Sequence, residues 1–285
     1  MKKSGKSKSE KATLGNRNAK VLAFSTNKGG VLKSSATVNT AGAWASQGKR
    51  VLIIDMDNQG NSILSFGQNP DSFEYTTYDV LVDGLAAEVA IVNVHENVDV
   101  LPANDDFTFF EFDVLTDKRF TKEQYFLLLK NAVNHLRNEY DIILVDSPPT
   151  LALTQGNILS FVDYVIIPFQ PEPYSQRSLV KMMDAIATMK KDTNPDIKIL
   201  GILATLVDTR TNLHTTILQE CRFLCRQMGW KLFDTVIPRS VRFADEIKSK
   251  GLPATLSKSR DPIVQNYFEL VEEIEKQWQD KKARV

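Results

Sequence analysis

The sequence predicts an α/β fold with a doubly wound, mainly parallel sheet flanked by helices, and two observations carry that expectation. Seven short runs are continuously apolar and rich in β-branched residues: 21–25, 50–55, 98–101, 141–146, 164–168, 197–206 and 232–237. Runs without polar alternation suit strands buried on both faces, as a parallel sheet requires. Helical patterns lie between them at 34–47, 122–138, 175–191 and 213–228, with a last one at 262–276. Strand and helix thus alternate about seven times, the pattern of a doubly wound sheet.

Each part of the 285-residue chain then has a place. Residues 1–19 hold Lys, Ser, Gly and Asn with almost no large apolar side chain, so they are expected to form a basic disordered tail. Residues 20–285 show no break in composition and no internal repeat, and read as one domain. With 42% apolar and 25% charged residues, the chain has enough apolar mass for a sizeable core and is no disordered protein. The formal net charge of zero hides an asymmetry: residues 1–20 hold seven cations against one anion, which leaves a net −6 on the remainder. Only two cysteines occur, Cys221 and Cys225, one helical turn apart, which reads as a buried thiol pair rather than a disulfide framework or a cluster site. No apolar run approaches the roughly 18 residues of a spanning helix, and no signal-peptide core is present, so a soluble, cytoplasmic protein is expected.

The first strand runs into Ser25-Thr26-Asn27-Lys28-Gly29-Gly30-Val31-Leu32-Lys33-Ser34-Ser35, and a helix follows. Strand, glycine-bearing turn, Lys-Ser and helix form the layout of a phosphate-binding loop. Backbone N–H groups and the helix N-terminus hold phosphates there, the lysine reaches the outer phosphate oxygens, and a hydroxyl ligates Mg²⁺. Asn27 and Leu32 stand where the standard G-x-x-x-x-G-K-[ST] pattern has its two glycines. Leu32 would be tolerated if its backbone is right-handed helical; a positive φ or a close phosphate approach would make leucine a weakening choice.

Two further strands end in carboxylates. Asp55-Met56-Asp57-Asn58-Gln59-Gly60-Asn61 follows the second run and Asp146-Ser147-Pro148-Pro149 the fourth. The carboxyl ends of strands in a doubly wound sheet form the ligand crevice, where one carboxylate can hold Mg²⁺ and another can position water.

The Lys28–Ser34 segment resembles the deviant Walker A motif, K-G-G-x-x-K-[ST], of the ParA/MinD P-loop ATPases, with Leu32 in place of the usual glycine. Residues 55–61 resemble that family's D-x-D-P-Q-G-N, with Asn58 for proline, and Asp146 matches the Walker B aspartate. The resemblance implies ATP and Mg²⁺ as cofactors. Gly29, Gly30, Val31, Leu32, Lys33, Ser34 and Ser35 would cradle phosphate, and Ser34, Asp55 and Asp146 would lie on the metal side. Asp57 would position the attacking water beside Lys33, and Lys28 would reach the phosphates of a partner copy in a homodimer.

Further segments are similar to the DNA-partition branch. Residues 202–213 resemble L-T-M-x-D-x-R-T-N-L, residues 236–253 resemble the I-P-R-N stretch, and Pro168–Tyr174 resembles the P-x-x-P-x-x-x-S loop. Together the matches cover about residues 20–255, and order is expected to begin at the phosphate-loop strand, which would match the short subtype without an N-terminal DNA-reading domain. That branch implies a slow ATPase that dimerises on ATP, coats DNA without sequence preference and is stimulated by a small centromere-binding partner, in a nucleoid-associated bacterial setting. Asp208, Pro238 and Arg239 would border the adenine. Arg239, Arg242, Lys248, Lys250, Lys258 and Arg260 are the candidate DNA contacts, a cation-rich stretch in an otherwise acidic body. Two other readings stay open. One is a MinD-like membrane ATPase using the apolar stripe of the last helix, although its glutamates would repel anionic lipid; no membrane partner is expected. The other is a nucleotide-gated DNA clamp whose hydrolysis Leu32 has impaired.

Overall fold

A computed structural model describes residues 17–208, 210–257 and 261–282. Its strands are β1 (Lys20–Phe24), β2 (Val51–Asp55), β3 (Val92–His95), β4 (Val98–Leu101), β5 (Ile142–Asp146), β6 (Tyr164–Phe169), β7 (Lys198–Val207) and β8 (Leu232–Pro238). They form one sheet in the order β3-β4-β2-β5-β1-β6-β7-β8, parallel except for the β3–β4 pair. The helices are α1 (Lys33–Ser46), α2 (Asn61–Leu64), α3 (Ala87–Ala90), α4 (Phe110–Thr116), α5 (Leu128–Val133), α6 (Leu153–Phe161), α7 (Ser175–Asp192), α8 (Asn212–Met228), α9 (Arg242–Lys250) and α10 (Pro262–Lys282).

Alternate residues of each central strand enter opposite cores. Val21, Ala23, Ile143 and Val145 pack with apolar residues of α4 to α8 on one face. Leu22, Phe24, Ile142 and Leu144 pack against α1 and α10 on the other. Continuous apolar runs are therefore what these strands require. Helix α1 is buried almost throughout and accepts a close neighbour: a Cβ at Gly42 would come 2.2 Å from Thr255 Oγ1. The last helix buries Val264, Tyr267, Leu270, Val271 and Ile274, and Trp278 stacks on Trp44 at 5.8 Å between ring centroids. The apolar stripe that a membrane reading would use is thus spent on the core. No helix among the described residues is long and apolar enough to cross a membrane.

The structure departs from the sequence expectation in several elements, the unforeseen short helices α2, α3, α4 and α9 among them. The continuous helix expected over 122–138 is broken, leaving α5 and a 3₁₀ turn at Asn134–Asn138. Ahead of α5 the cause is Asn157 of α6: its Oδ1 accepts from Leu129 N at 3.1 Å and its Nδ2 donates to Tyr125 O at 2.7 Å. Those are the two backbone groups a helix would have joined to each other, so the inserted amide replaces an i→i−4 bond. Helix α6 itself was not expected; it is buried along its whole length and has no polar face to produce a helical period. Strand β3 was also unforeseen, being a short antiparallel edge strand reached by a tight hairpin.

Residues 1–16 of the expected tail lie outside the described residues. Arg17 pairs with Asp141 at 3.1 Å, and Ala19 N–H donates to Arg137 O at 2.9 Å, so the chain is anchored just ahead of β1. Cys221 and Cys225 are buried on α8 with their Sγ atoms 3.9 Å apart, as the helical spacing implies.

Candidate nucleotide site at the carboxyl ends of the strands

Strand β1 lies between β5 and β6, with β2 beyond β5, so the loops leaving β1, β2 and β5 converge at one edge. The register sets Phe24 beside Asp146 and Asp146 beside Asp55. The phosphate-loop segment thereby meets both carboxylate segments.

Gly29 and Gly30 are exposed at the crest of the loop. A Cβ on Gly30, at φ +69°, would meet nothing within 4 Å, so the backbone here faces open space. Val31 is buried. Leu32 takes φ +66° immediately before α1, and its side chain packs on the core that α1 shares with the sheet. Of the two possibilities left by the sequence, the strained one is realised: the right-handed backbone that would have tolerated a Cβ is absent. A left-handed conformation costs a residue with a Cβ roughly 1–2 kcal/mol.

Lys33 is 7% exposed, and its Nζ donates to Lys28 O at 2.9 Å. Burial lowers its pKa, while the facing Asp146 and Asp57 carboxylates oppose that shift. Ser34 and Ser35, half-buried in the first turn of α1, follow it.

The carboxylates form a buried cluster. Asp55 accepts from Asp57 N and Ser62 N, both at 3.0 Å. Asp146 accepts from Ser62 Oγ at 3.0 Å, and its Oδ1 is buried with no hydrogen-bond partner. Burial pushes the Asp55 carboxyl well up, and neighbouring Asp146 pushes it further. Burial likewise pushes Asp146 up to about 6, against the pull of the Ser34 and Ser62 hydroxyls and of Lys33. Asp57, 7% exposed, turns its Oδ1 to Gln59 N at 3.1 Å.

These features fit ATP·Mg²⁺: an open glycine crest, a buried lysine behind it, and an unsatisfied carboxylate oxygen beside a serine hydroxyl. Among the described residues no group of three or more His, Cys, Asp or Glu side chains could hold a metal by itself. A site offering only one or two carboxylates suits Mg²⁺, which keeps waters and shares phosphate oxygens.

Lys28 goes elsewhere. Its Nζ donates to Glu172 Oε2 at 2.7 Å and to Ser175 Oγ at 3.3 Å, both beyond the end of β6. The hydrogen bond and charge of Lys28 hold the Glu172 carboxyl below its ordinary range. Between these two partners sits Tyr174, 90% exposed at φ +67°.

The family model described as an AAA domain matches residues 19–199. The chain is 34% identical to the sporulation initiation inhibitor protein Soj of Bacillus subtilis, over 90% of its own length and 98% of that protein's. It is 32% identical to the chromosome partitioning protein ParA of Myxococcus xanthus, over 88% of each chain. The chain belongs to the ParA-type partition ATPases. Among solved structures, cobyrinic acid a,c-diamide synthase of Mycobacterium smegmatis with a bound ATP analogue and magnesium is similar at a TM-score of 0.78 and 28% identity. That match covers 91% of this chain and 95% of the other. The deviations of this ParA-type chain at Asn58 and Leu32 therefore occur within a family that handles nucleotide.

The remaining expected positions lie farther out. Asp208 and Pro238–Arg239 stand at the ends of the paired strands β7 and β8, where Arg239 N donates to Val207 O at 3.1 Å. Arg210 clamps Asp208 through two 2.8 Å bonds, holding its carboxyl well below the ordinary range. Arg239, Arg242, Lys248 and Lys250 are exposed. Arg242 pairs with Asp261 at 3.5 Å and Lys250 with Glu246 at 2.8 Å. Lys258 and Arg260 lie outside the described residues. Sequence reasoning missed Ser62 and the Lys28 acceptors Glu172 and Ser175. Ser62 follows the D-x-D segment directly, and Glu172 lies inside a loop already matched to the family, so both signals were within reach.

Proposed function

We propose that this chain is an ATP-driven DNA-partition switch, in which two ATP·Mg²⁺-loaded copies pair through their phosphate loops, hold DNA without sequence preference and let go on hydrolysis. The observation that carries this reading is the divergence of the two loop lysines. Lys33 is buried behind its own glycine crest, whereas Lys28 lies at the rim on Glu172. One lysine suits the chain's own phosphates, and the other is available to a second copy. Bound Mg²⁺ would supply charge neutralisation at the phosphates. Ser34 and Asp146 would hold it, with Asp55 braced behind them, and Asp57 would orient water. Asp208, Pro238 and Arg239 would border the base. Arg239, Arg242, Lys248 and Lys250, from two copies, would face DNA phosphates, and a small centromere-binding protein would raise a slow basal turnover. Doubling weak cationic patches by dimerisation gives a binding that hydrolysis can undo.

The test compares wild type, Lys28→Ala and Asp57→Ala by ATP turnover, sedimentation with ATP, and DNA co-sedimentation. Asp57→Ala should still dimerise and bind DNA but lose turnover by about 100-fold or more. Lys28→Ala should lose ATP-dependent dimerisation and DNA binding together. Normal turnover in Asp57→Ala, or DNA binding that ignores ATP, overturns the proposal. Leu32 in a left-handed backbone favours one alternative, a clamp with little hydrolysis. That reading wins if wild type binds DNA with ATP yet shows no turnover at any partner or DNA concentration.

A further inference from the structure

Beyond the loop that follows Asp146, a cavity of about 470 Å³ lies between α4, the turn over residues 121–127, α6 and α7. Leu115, Phe126, Leu151, Leu159 and Met189 help line it, and no charged side chain does so among the described residues. Leu115 and Leu151 are 53% and 40% exposed and form its mouth. The Phe126 ring is pressed onto the bare backbone of Gly156, where a Cβ would come 2.2 Å from it; the wall is therefore shaped rather than loose.

Three polar side chains line the cavity, Tyr125, Thr188 and Gln155. Thr188 spends its hydroxyl on Asp184 O at 3.0 Å. Gln155 is 2% exposed, and its Nε2 has no hydrogen-bond partner. Its Oε1 is taken, accepting from Ser25 Oγ at 2.9 Å, so the amide end is the donor left over. Buried donors are nearly always paired, and a turn of the Gln155 amide toward the cavity would give that donor an incoming acceptor.

We infer that this cavity is a second ligand site, distinct from the phosphate loop, for an uncharged, mainly apolar small molecule carrying one hydrogen-bond acceptor for the Gln155 amide. The chemistry of the lining excludes nucleotides, phosphates and carboxylates, which would enter without a countercharge. The volume lies in the range of small-molecule pockets. The site also touches the nucleotide machinery: Gln155 is bonded to Ser25 at the start of the phosphate loop, and Leu151 and Leu153 follow the loop from Asp146. Occupancy therefore shifts nucleotide affinity, and nucleotide shifts occupancy by the same factor. The cavity stands independently of the partition reading; only this coupling rests on it.

The experiment titrates Nile red, an uncharged ring system with one carbonyl, into the full chain and follows its fluorescence. One saturable site per chain is expected. Gln155→Leu should weaken it roughly threefold to tenfold through loss of one hydrogen bond. Ala185→Leu, which fills the α7 wall, should abolish it, with circular dichroism checking that both variants fold. Should Gln155→Leu fail to fold, Gln155→Glu and Ala185→Leu carry the test. Non-saturable dye binding, or equal affinity in wild type and every folded variant, overturns the site. Saturating dye should change the affinity for a fluorescent ATP analogue at least twofold; no change overturns the coupling. Intact dye binding in a chain that binds no ATP overturns the nucleotide reading and upholds the cavity.

Discussion

The centre and the outer strands of the sheet's carboxyl edge handle charge in opposite ways. At the centre, Lys33, Asp55, Asp57 and Asp146 are all 7% exposed or less, and two of the carboxyls are held away from their preferred ionisation. Beyond β7 and β8, the cations Arg239, Arg242, Lys248 and Lys250 sit in solvent, some of them in single surface pairs. Buried charge is strong toward a ligand and costs the empty fold stability; exposed charge costs little and acts only in numbers. The central groups should therefore respond sharply and individually to substitution, and the outer ones weakly and additively.

The largest expected effect is at Lys33. Lys33→Ala removes a buried cation that donates to Lys28 O, and under the proposed phosphate role turnover should fall about 100- to 1000-fold. Steady-state phosphate release measures this, and a fall under tenfold would break the contrast between centre and edge. Next comes Asp146, where the sign of the stability change is the informative part. A carboxyl whose pKa the fold raises binds its proton more tightly folded than unfolded. The nucleotide-free chain is therefore favoured at acid pH, below the ordinary carboxylate value, and loses that margin as pH rises through about 6. Asp146→Asn should stabilise the empty protein at pH 8 by about 2 kcal/mol, roughly 4–8 °C in Tm, with the gain shrinking near pH 4. Unfolding scans without nucleotide or metal at both pH values decide it; a destabilised variant at pH 8 would show that the cluster is no store of strain.

The same contrast explains what could be read from the residues alone. The central strands were legible because burial on both faces leaves a continuous apolar run, and the phosphate loop was legible because lysine, glycine and hydroxyl must stand at fixed spacing. Asp55, Asp57 and Asp146 converge as strand-end carboxylates should. Helix α6 was hidden by the same burial that betrayed the strands, since a helix with no wet face has no period to detect. The break ahead of α5 depends on Asn157, a residue on a different element whose insertion local patterning cannot anticipate. Glu172 was visible as a letter in a family-like loop, but its grip on Lys28 is a contact across 144 positions of sequence.

Leu32 tests how much backbone strain the centre holds. At an ordinary position alanine is more stable than glycine, because glycine gives up more backbone freedom on folding. At φ +66° the order should reverse. Leu32→Gly should be more stable than Leu32→Ala by about 1 kcal/mol, since both lose the leucine packing and only glycine escapes the left-handed penalty. Denaturant midpoints of the two variants at equal slope provide the comparison, and the usual order would mean that the loop has relaxed.

The smallest effects belong to the outer cations. Lys248 is exposed on α9, so Lys248→Ala should change stability by less than about 0.5 kcal/mol. Its role, if the partition reading is right, appears only in the salt dependence of DNA binding. Each phosphate contact contributes close to one unit to the slope of log affinity against log salt, so the variant should flatten that slope by about one per copy of the site, for any DNA sequence. Arg242→Ala should do the same with a small additional stability loss, because its guanidinium also reaches Asp261 at 3.5 Å. The double variant should flatten the slope by the sum of the two, as separate contacts to a uniform polyanion must. An unchanged slope in both variants would remove α9 from the DNA face. A loss confined to particular sequences would make it a reader of base edges instead, which a surface of solvated single charges is poorly equipped to be.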